Sequence, residues 1–160
     1  MNGKPSYLGL LNAIAVGEAR AFRLFKAWRK RTRDQELGKV LNLVAIRERE
    51  HAGAFTKRLA ELGYDVRRKD SDEFDERLAL IKSKAKDLQK FEEVLGYGRT
   101  VAAKSDEGSL PRADSLSRLF DDKTIDPQTG ALLGRFIAEE RDTTRLLQAQ
   151  YDRLARSDQD

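Results

Sequence analysis

Apolar residues recur every three to four positions in four segments of the chain, the period of one face of an α-helix. The first segment runs from about Ser6 to Arg31 and places Leu8, Leu11, Ile14, Ala15, Phe22 and Phe25 on one stripe. The second, from about Asp34 to Leu62, carries Leu37, Leu41, Val44, Ala52, Phe55 and Leu59. Asp34 is placed to cap its first turn and Gly63 to end it. The turn between these helices is too short for anything but an antiparallel pair.

The third segment runs from about Ser71 to Lys104, with Phe74, Leu78, Ile81, Ala85, Leu88 and Leu95 on its stripe. Asp70 and Glu73 have the spacing of a capping box, and Gly96 and Gly98 predict a kink or a close helix contact. The fourth, from about Pro127 to Arg156, opens on Asp126 and Pro127, an N-cap followed by proline at the first helical position. Its stripe is Leu133, Phe136, Ile137, Leu147, Tyr151 and Leu154. Residues 63–70 can span about 25 Å when extended. Residues 105–125 are polar apart from Leu116, Leu119 and Phe120, which read as a short docking helix. No stretch alternates with the period of a strand. The expected fold is all-α: a four-helix bundle forming a single domain over residues 1–160, with a long loop carrying a short helix between the third and fourth helices. The pattern leaves open whether the second and third helices run parallel or antiparallel.

Composition narrows the chemistry. Charged residues make up 36% of the chain and apolar ones 39%, the balance of a bundle with heavily charged outer faces. There is no cysteine, which excludes disulfides, thiolate metal sites, iron–sulfur clusters and a thiol nucleophile. The net charge is +4, with a basic run from Arg20 to Arg33 and an acidic one from Asp70 to Glu76. The basic run lacks the aromatic interleaving of a nucleic-acid surface and reads as a solvated helix face near a C-terminus. Residues 7–17, YLGLLNAIAVG, resemble a signal-peptide core, but Asn12 interrupts them and their helical period continues into charged sequence. No stretch approaches membrane-spanning length, and a cytoplasmic location is expected.

Each stripe contains one carboxylate that does not belong on an apolar face. Glu18 lies four residues after Ile14 and four before Phe22; Glu48 lies four after Val44 and seven before Phe55. Glu92 lies four after Leu88, and Glu140 four after Phe136. Isolated buried carboxylates are costly, and four facing one another repel unless protons or a cation compensate. Glu18 and Glu48 each lie 15 residues from residue 33, in the tight turn, and so fall at one level of an antiparallel pair. Glu92 is 12 residues before Lys104 and Glu140 is 13 after Pro127, which places them at one level too if both helices run their full expected lengths. His51, the sole histidine, follows Glu48 by three and shares its face, whereas Glu50 points outward. The candidate metal ligands are therefore Glu18, Glu48, His51, Glu92 and Glu140. An oxygen-rich set with one nitrogen suits iron or manganese, with zinc as a further option. No catalytic residue is assigned.

A glutamate on the first helix, Glu-x-x-His on the second, and glutamates on the third and fourth resemble the ferritin-like di-iron carboxylate pattern. The stretches AVGEARAFRLF and AIREREHAGAF resemble the first helix pair of rubrerythrin-type members. The resemblance implies a homodimer of bundles that uses iron, as one or two ions, for peroxide reduction, iron oxidation or substrate oxygenation. It implies Glu48 and a second-half glutamate as bridging ligands, Glu18 and Glu92 as terminal ones, and His51 on one iron. Two departures stand out. Thr143 occupies the position of the second histidine, so the second ion is expected to bind more weakly, and Glu139 or Asp142 can substitute if the helix is rotated, since Glu139-x-x-Asp142 has the same spacing as Glu140-x-x-Thr143. Glu93 is likewise an alternative to Glu92. The chain also lacks the four-cysteine rubredoxin module that rubrerythrins commonly carry, so electrons would come from an external donor. Two other readings are a bundle that serves as a structural or interaction protein without a metal, and, ranked last, a nucleic-acid binder using the basic run.

Overall fold

In the computed structural model of the protein, residues 5–98 and 122–160 are described. Among them are five helices and no strand: α1 (Leu8–Arg31), α2 (Gln35–Glu61), α3 (Asp72–Lys82), α4 (Asp87–Val94) and α5 (Pro127–Ser157). None is long and apolar enough to cross a membrane. The expected docking helix at Leu116, Leu119 and Phe120 lies outside the described residues.

The all-α, ferritin-like helical architecture read from the stripes is the one observed. Asp34 caps α2 by accepting the Leu37 N–H at 2.8 Å, and Asp126 caps α5 by accepting the Thr129 N–H at 2.9 Å, with Pro127 in the first turn. α1 and α2 pack along their whole lengths as an antiparallel pair. α5 runs antiparallel to α2: Arg58 near the end of α2 pairs with Asp126, and Arg153 near the end of α5 pairs with Asp34.

The third predicted helix is corrected. It is two helices that reverse direction at residues 83–86. The chain first climbs alongside α1: the Asn12 amide pairs with the backbone of Arg67, Arg23 lies over the Phe74 ring, and Arg31 donates to the Lys82 carbonyl. α3 therefore runs parallel to α1 and antiparallel to α2. Ser83 then ends it, its hydroxyl donating to the Leu80 carbonyl at 2.6 Å and accepting the Ala85 N–H at 3.1 Å. Such local bonds compete with the helix ladder. Ser71, not Asp70, caps α3 by accepting the Phe74 N–H.

α4 turns back, parallel to α2 and antiparallel to α5. Its first residue, Asp87, accepts from the buried Trp28 indole and from the Thr32 hydroxyl, both at 2.7 Å. It ends where the glycines lie: Gly96 has φ +76°, and the Tyr97 N–H reaches back to the Phe91 carbonyl. A left-handed glycine after the last turn lets the chain fold back so that the Tyr97 N–H reaches a carbonyl of the helix end.

Two apolar clusters fill the interior. One gathers Leu8, Leu11, Ile14, Phe55, Leu59, Leu133 and Phe136. The other gathers Leu24, Phe25, Trp28, Leu37, Leu41, Ile81, Phe91 and Leu147. Along each long helix the numbering leaves a gap between them, near residue 18 in α1, 48–51 in α2 and 139–143 in α5. A polar layer occupies that gap.

Candidate metal centre

Helical spacing brings the polar layer together. The antiparallel α1–α2 pair sets Glu18 opposite Glu48 and His51, and α5 supplies Glu140 from the other side. One donor atom from each of Glu18, Glu48, His51 and Glu140 lies within 4.8 Å of all the others. Glu18 is fully buried, and Glu48 and His51 are each 3% exposed. Oε1 of each glutamate is buried with no hydrogen-bond partner. Three clustered carboxylates, each with a buried oxygen left unpartnered, beside an imidazole are what a cation would satisfy, so the donor set fits a metal ion.

Electrostatics says the same from the other side. Burial pushes Glu48 up to about 10, and the facing Glu18 carboxyl adds to the rise. Burial likewise raises Glu18 to about 8, with repulsion from Glu140 contributing, and raises Glu140 to about 8, with Glu48 contributing. Without a cation the cluster therefore holds protons at neutral pH.

His51 is fixed at both ring nitrogens. Its Nδ1 faces Glu18 at 3.2 Å and Glu140 at 3.7 Å, while its Nε2 lies 3.2 Å from Glu139. The Phe136 ring meets the imidazole edge-on at 5.0 Å. Partial burial opposes ionisation of Glu139, but the Arg135 guanidinium, at 2.6 Å, keeps its carboxyl below the usual range. Nδ1 thus points into the cluster and Nε2–H can donate to Glu139, the arrangement in which a neighbouring carboxylate orients a ligand histidine. Sequence reasoning weighed Glu139 only as a replacement for Glu140. Its spacing from Phe136 and Arg135 was the available signal for a supporting role.

Glu92 is not brought into the cluster. Its carboxylate accepts from the Tyr151 hydroxyl at 3.2 Å, and Glu93 is exposed and bonded to Gln89. The reversal at 83–86 is the cause. It puts α4 beside the last third of α5, and Tyr151 lies 11 residues, about 16 Å, beyond Glu140 along the helix. Glu50 is exposed, as expected from its face.

Thr143, in the position a second histidine would take, is buried, and its hydroxyl accepts from Arg47 Nη1 at 3.2 Å. Arg47 Nη2 pairs with Asp142 at 2.8 Å. Sequence reasoning missed Arg47, whose adjacency to Glu48 gave no signal that it would reach across to α5. Glu48, Glu140 and Thr143 also border a cavity of about 490 Å³ lined by Leu24, Phe25 and Leu147 and by Arg20, Glu73 and Arg77.

A family model described as Rubrerythrin matches residues 10–102. The chain belongs to the rubrerythrin family. That match contains Glu18, Glu48, His51 and Glu92, whereas Glu139, Glu140 and Thr143 lie beyond it. Rubrerythrins in general bind two irons, and in this member the matched half supplies three of the four clustered donors. No curated protein and no solved structure matches the chain significantly.

Proposed function

We propose that this rubrerythrin-family protein binds iron between α1, α2 and α5 and uses it in redox chemistry with peroxide or dioxygen. The observation that carries the reading is the mutual approach of Glu18, Glu48, His51 and Glu140 within 4.8 Å, with one oxygen of each glutamate unpartnered. Glu18, Glu48 and Glu140 would hold the ion through oxygen and His51 through Nδ1. Bound iron supplies electrons and an open position for a small oxidant.

The protein's own contribution is the ligand set and access to it. The cavity bordered by Glu48 and Glu140, lined by Leu24, Phe25 and Leu147 and by the charged Arg20, Glu73 and Arg77, gives a small oxidant a path to the cluster. As ligands Glu48 and Glu140 are ionised and hold no protons, so the two protons that reduction of peroxide to two waters consumes enter from solvent along the same cavity. The two electrons must come from an external donor protein, because the chain has no cysteine to hold a cluster of its own. A homodimer and a cytoplasmic setting belong to the same proposal.

Metal-free protein mixed anaerobically with ferrous ion, then with hydrogen peroxide, tests it. The expected result is iron retained through desalting, oxidation on adding peroxide, and loss of both in Glu48→Ala. Wild type and Glu48→Ala retaining equally little iron would overturn the proposal. That outcome would favour a bundle without a metal, a reading supported by burial and mutual repulsion raising all three glutamates.

A further inference from the structure

We infer that the Arg47 guanidinium holds the place of a second cation, so that the centre takes one divalent ion per chain rather than two. The inference deepens the metal reading above and rests on it.

The span of the donors is the first support. Ligand atoms about 2.1 Å from one ion lie at most about 4.2 Å apart. Four donors that already lie within 4.8 Å of one another need only small side-chain adjustments to share a single ion. Two ions about 3.5–4 Å apart call for a further set of donors beyond the first. Glu92, which the family pattern would spend there, is held by Tyr151, and position 143 is a threonine.

What stands at that position is the second support. Arg47 reaches from α2 to α5, with Nη1 donating to Thr143 and Nη2 to Asp142. Its side chain is 19% exposed, and its positive charge favours the ionised form of Glu140. A fixed guanidinium therefore lies beside the cluster, on the side where the second histidine of the family pattern would stand.

Charge balance is the third. Asp142 is already paired with Arg145 at 2.7 Å, and Glu139 with Arg135, so Arg47 brings one positive charge that its immediate partners do not cancel. One divalent ion and this guanidinium offset Glu18, Glu48 and Glu140. Two divalent ions beside Arg47 would leave two positive charges in excess in a buried site, which is strongly unfavourable.

The test counts ions without relying on turnover. Metal-free protein is titrated anaerobically with Mn²⁺ by calorimetry, with elemental analysis after desalting and electron paramagnetic resonance of the product. Wild type and Thr143→His are each expected to bind one ion per chain with an uncoupled manganese spectrum. Arg47→Ala with Thr143→His is expected to bind two, with magnetic coupling between them. If circular dichroism shows that pair unfolded, Arg47→Gln with Thr143→His keeps polar contact to Asp142 and replaces it. Two ions in wild type or in Thr143→His alone would overturn the inference, and so would one ion in the folded double variant. No ion in folded wild type would instead remove the metal reading on which the inference stands.

Discussion

His51 Nε2 lies 3.2 Å from a Glu139 carboxylate oxygen, while the other ring nitrogen faces Glu18. Glu139 is held in turn by Arg135, which also approaches Glu50 at 3.6 Å. This chain fixes the tautomer and the ring plane of the one nitrogen donor. Removing a carboxylate that supports a ligand histidine typically costs 10- to 100-fold in metal affinity. Glu139→Ala is therefore expected to weaken Mn²⁺ binding by about that factor, read by calorimetry, with stoichiometry unchanged. Glu93→Ala, on the exposed face of α4, should leave affinity as it is. Equal losses in both would show that Glu139 does not orient His51.

The raised carboxyls make metal-free stability depend on pH. An unfolded chain ionises these glutamates near 4.5, whereas the fold keeps Glu18 and Glu140 protonated to about 8 and Glu48 to about 10. Below about 4.5 both states carry the protons and the groups make no difference. As pH rises from there toward 8 the unfolded chain releases protons that the folded one retains, so stability falls, by at most about 1.4 kcal/mol per pH unit for each group. Asp34, held low by its hydrogen bond from Arg153, titrates below this window. Urea midpoints of the metal-free protein should decline from pH 5 to pH 8, less steeply in Glu48→Gln. A flat profile would mean that the cluster is not protonated in the fold.

What the sequence revealed of this centre depended on helix continuity. Glu18, Glu48 and His51 could be placed together because α1 and α2 are unbroken and joined by a turn capped by Asp34, so counting residues from the turn gives true heights. The same counting failed for Glu92, because it assumed one helix from Ser71 to Lys104. Nothing in Lys82-Ser83-Lys84-Ala85-Lys86 is proline or glycine, and the reversal there depends on tertiary bonds from Trp28 and Thr32 to Asp87. Trp28, the fully buried anchor of that turn, was absent from the predicted stripe although it follows Phe25 by three. Arg47 was invisible for a related reason: its partners, Asp142 and Thr143, lie nearly a hundred residues away in sequence.

A bound ion should reverse the pH trend. Metal binding displaces the protons on Glu18, Glu48 and Glu140 and so strengthens as pH rises. At free Mn²⁺ a hundred times its dissociation constant, the folded state gains about 2.7 kcal/mol. The gain in unfolding midpoint on adding a fixed Mn²⁺ concentration should be larger at pH 7.5 than at pH 5.5. Glu48→Gln should lose most of that gain while raising the metal-free midpoint at pH 8, because a neutral amide replaces a carboxyl that burial keeps protonated. A midpoint in Glu48→Gln that responds to Mn²⁺ as wild type does would remove Glu48 from the ligand set.

Asp87 separates the architecture from the centre. Its carboxylate is the acceptor for the indole N–H of Trp28, which has no exposed surface, and for the Thr32 hydroxyl. Asp87→Ala strands that buried donor, and an unsatisfied buried polar group costs about 1–3 kcal/mol. Asp87→Asn keeps one acceptor oxygen and should lose less. Both losses should appear as lower urea midpoints with unchanged slopes, since the same surface is exposed on unfolding. Trp28 lies ten residues beyond Glu18 on α1, about 15 Å along the axis, and none of the clustered donors comes from α4. Mn²⁺ affinity should therefore be the same in folded Asp87→Ala as in wild type. A matching loss of affinity would mean that the turn between α3 and α4 sets the positions of the ligands on α1 and α2, and that the two halves of the interior do not vary independently.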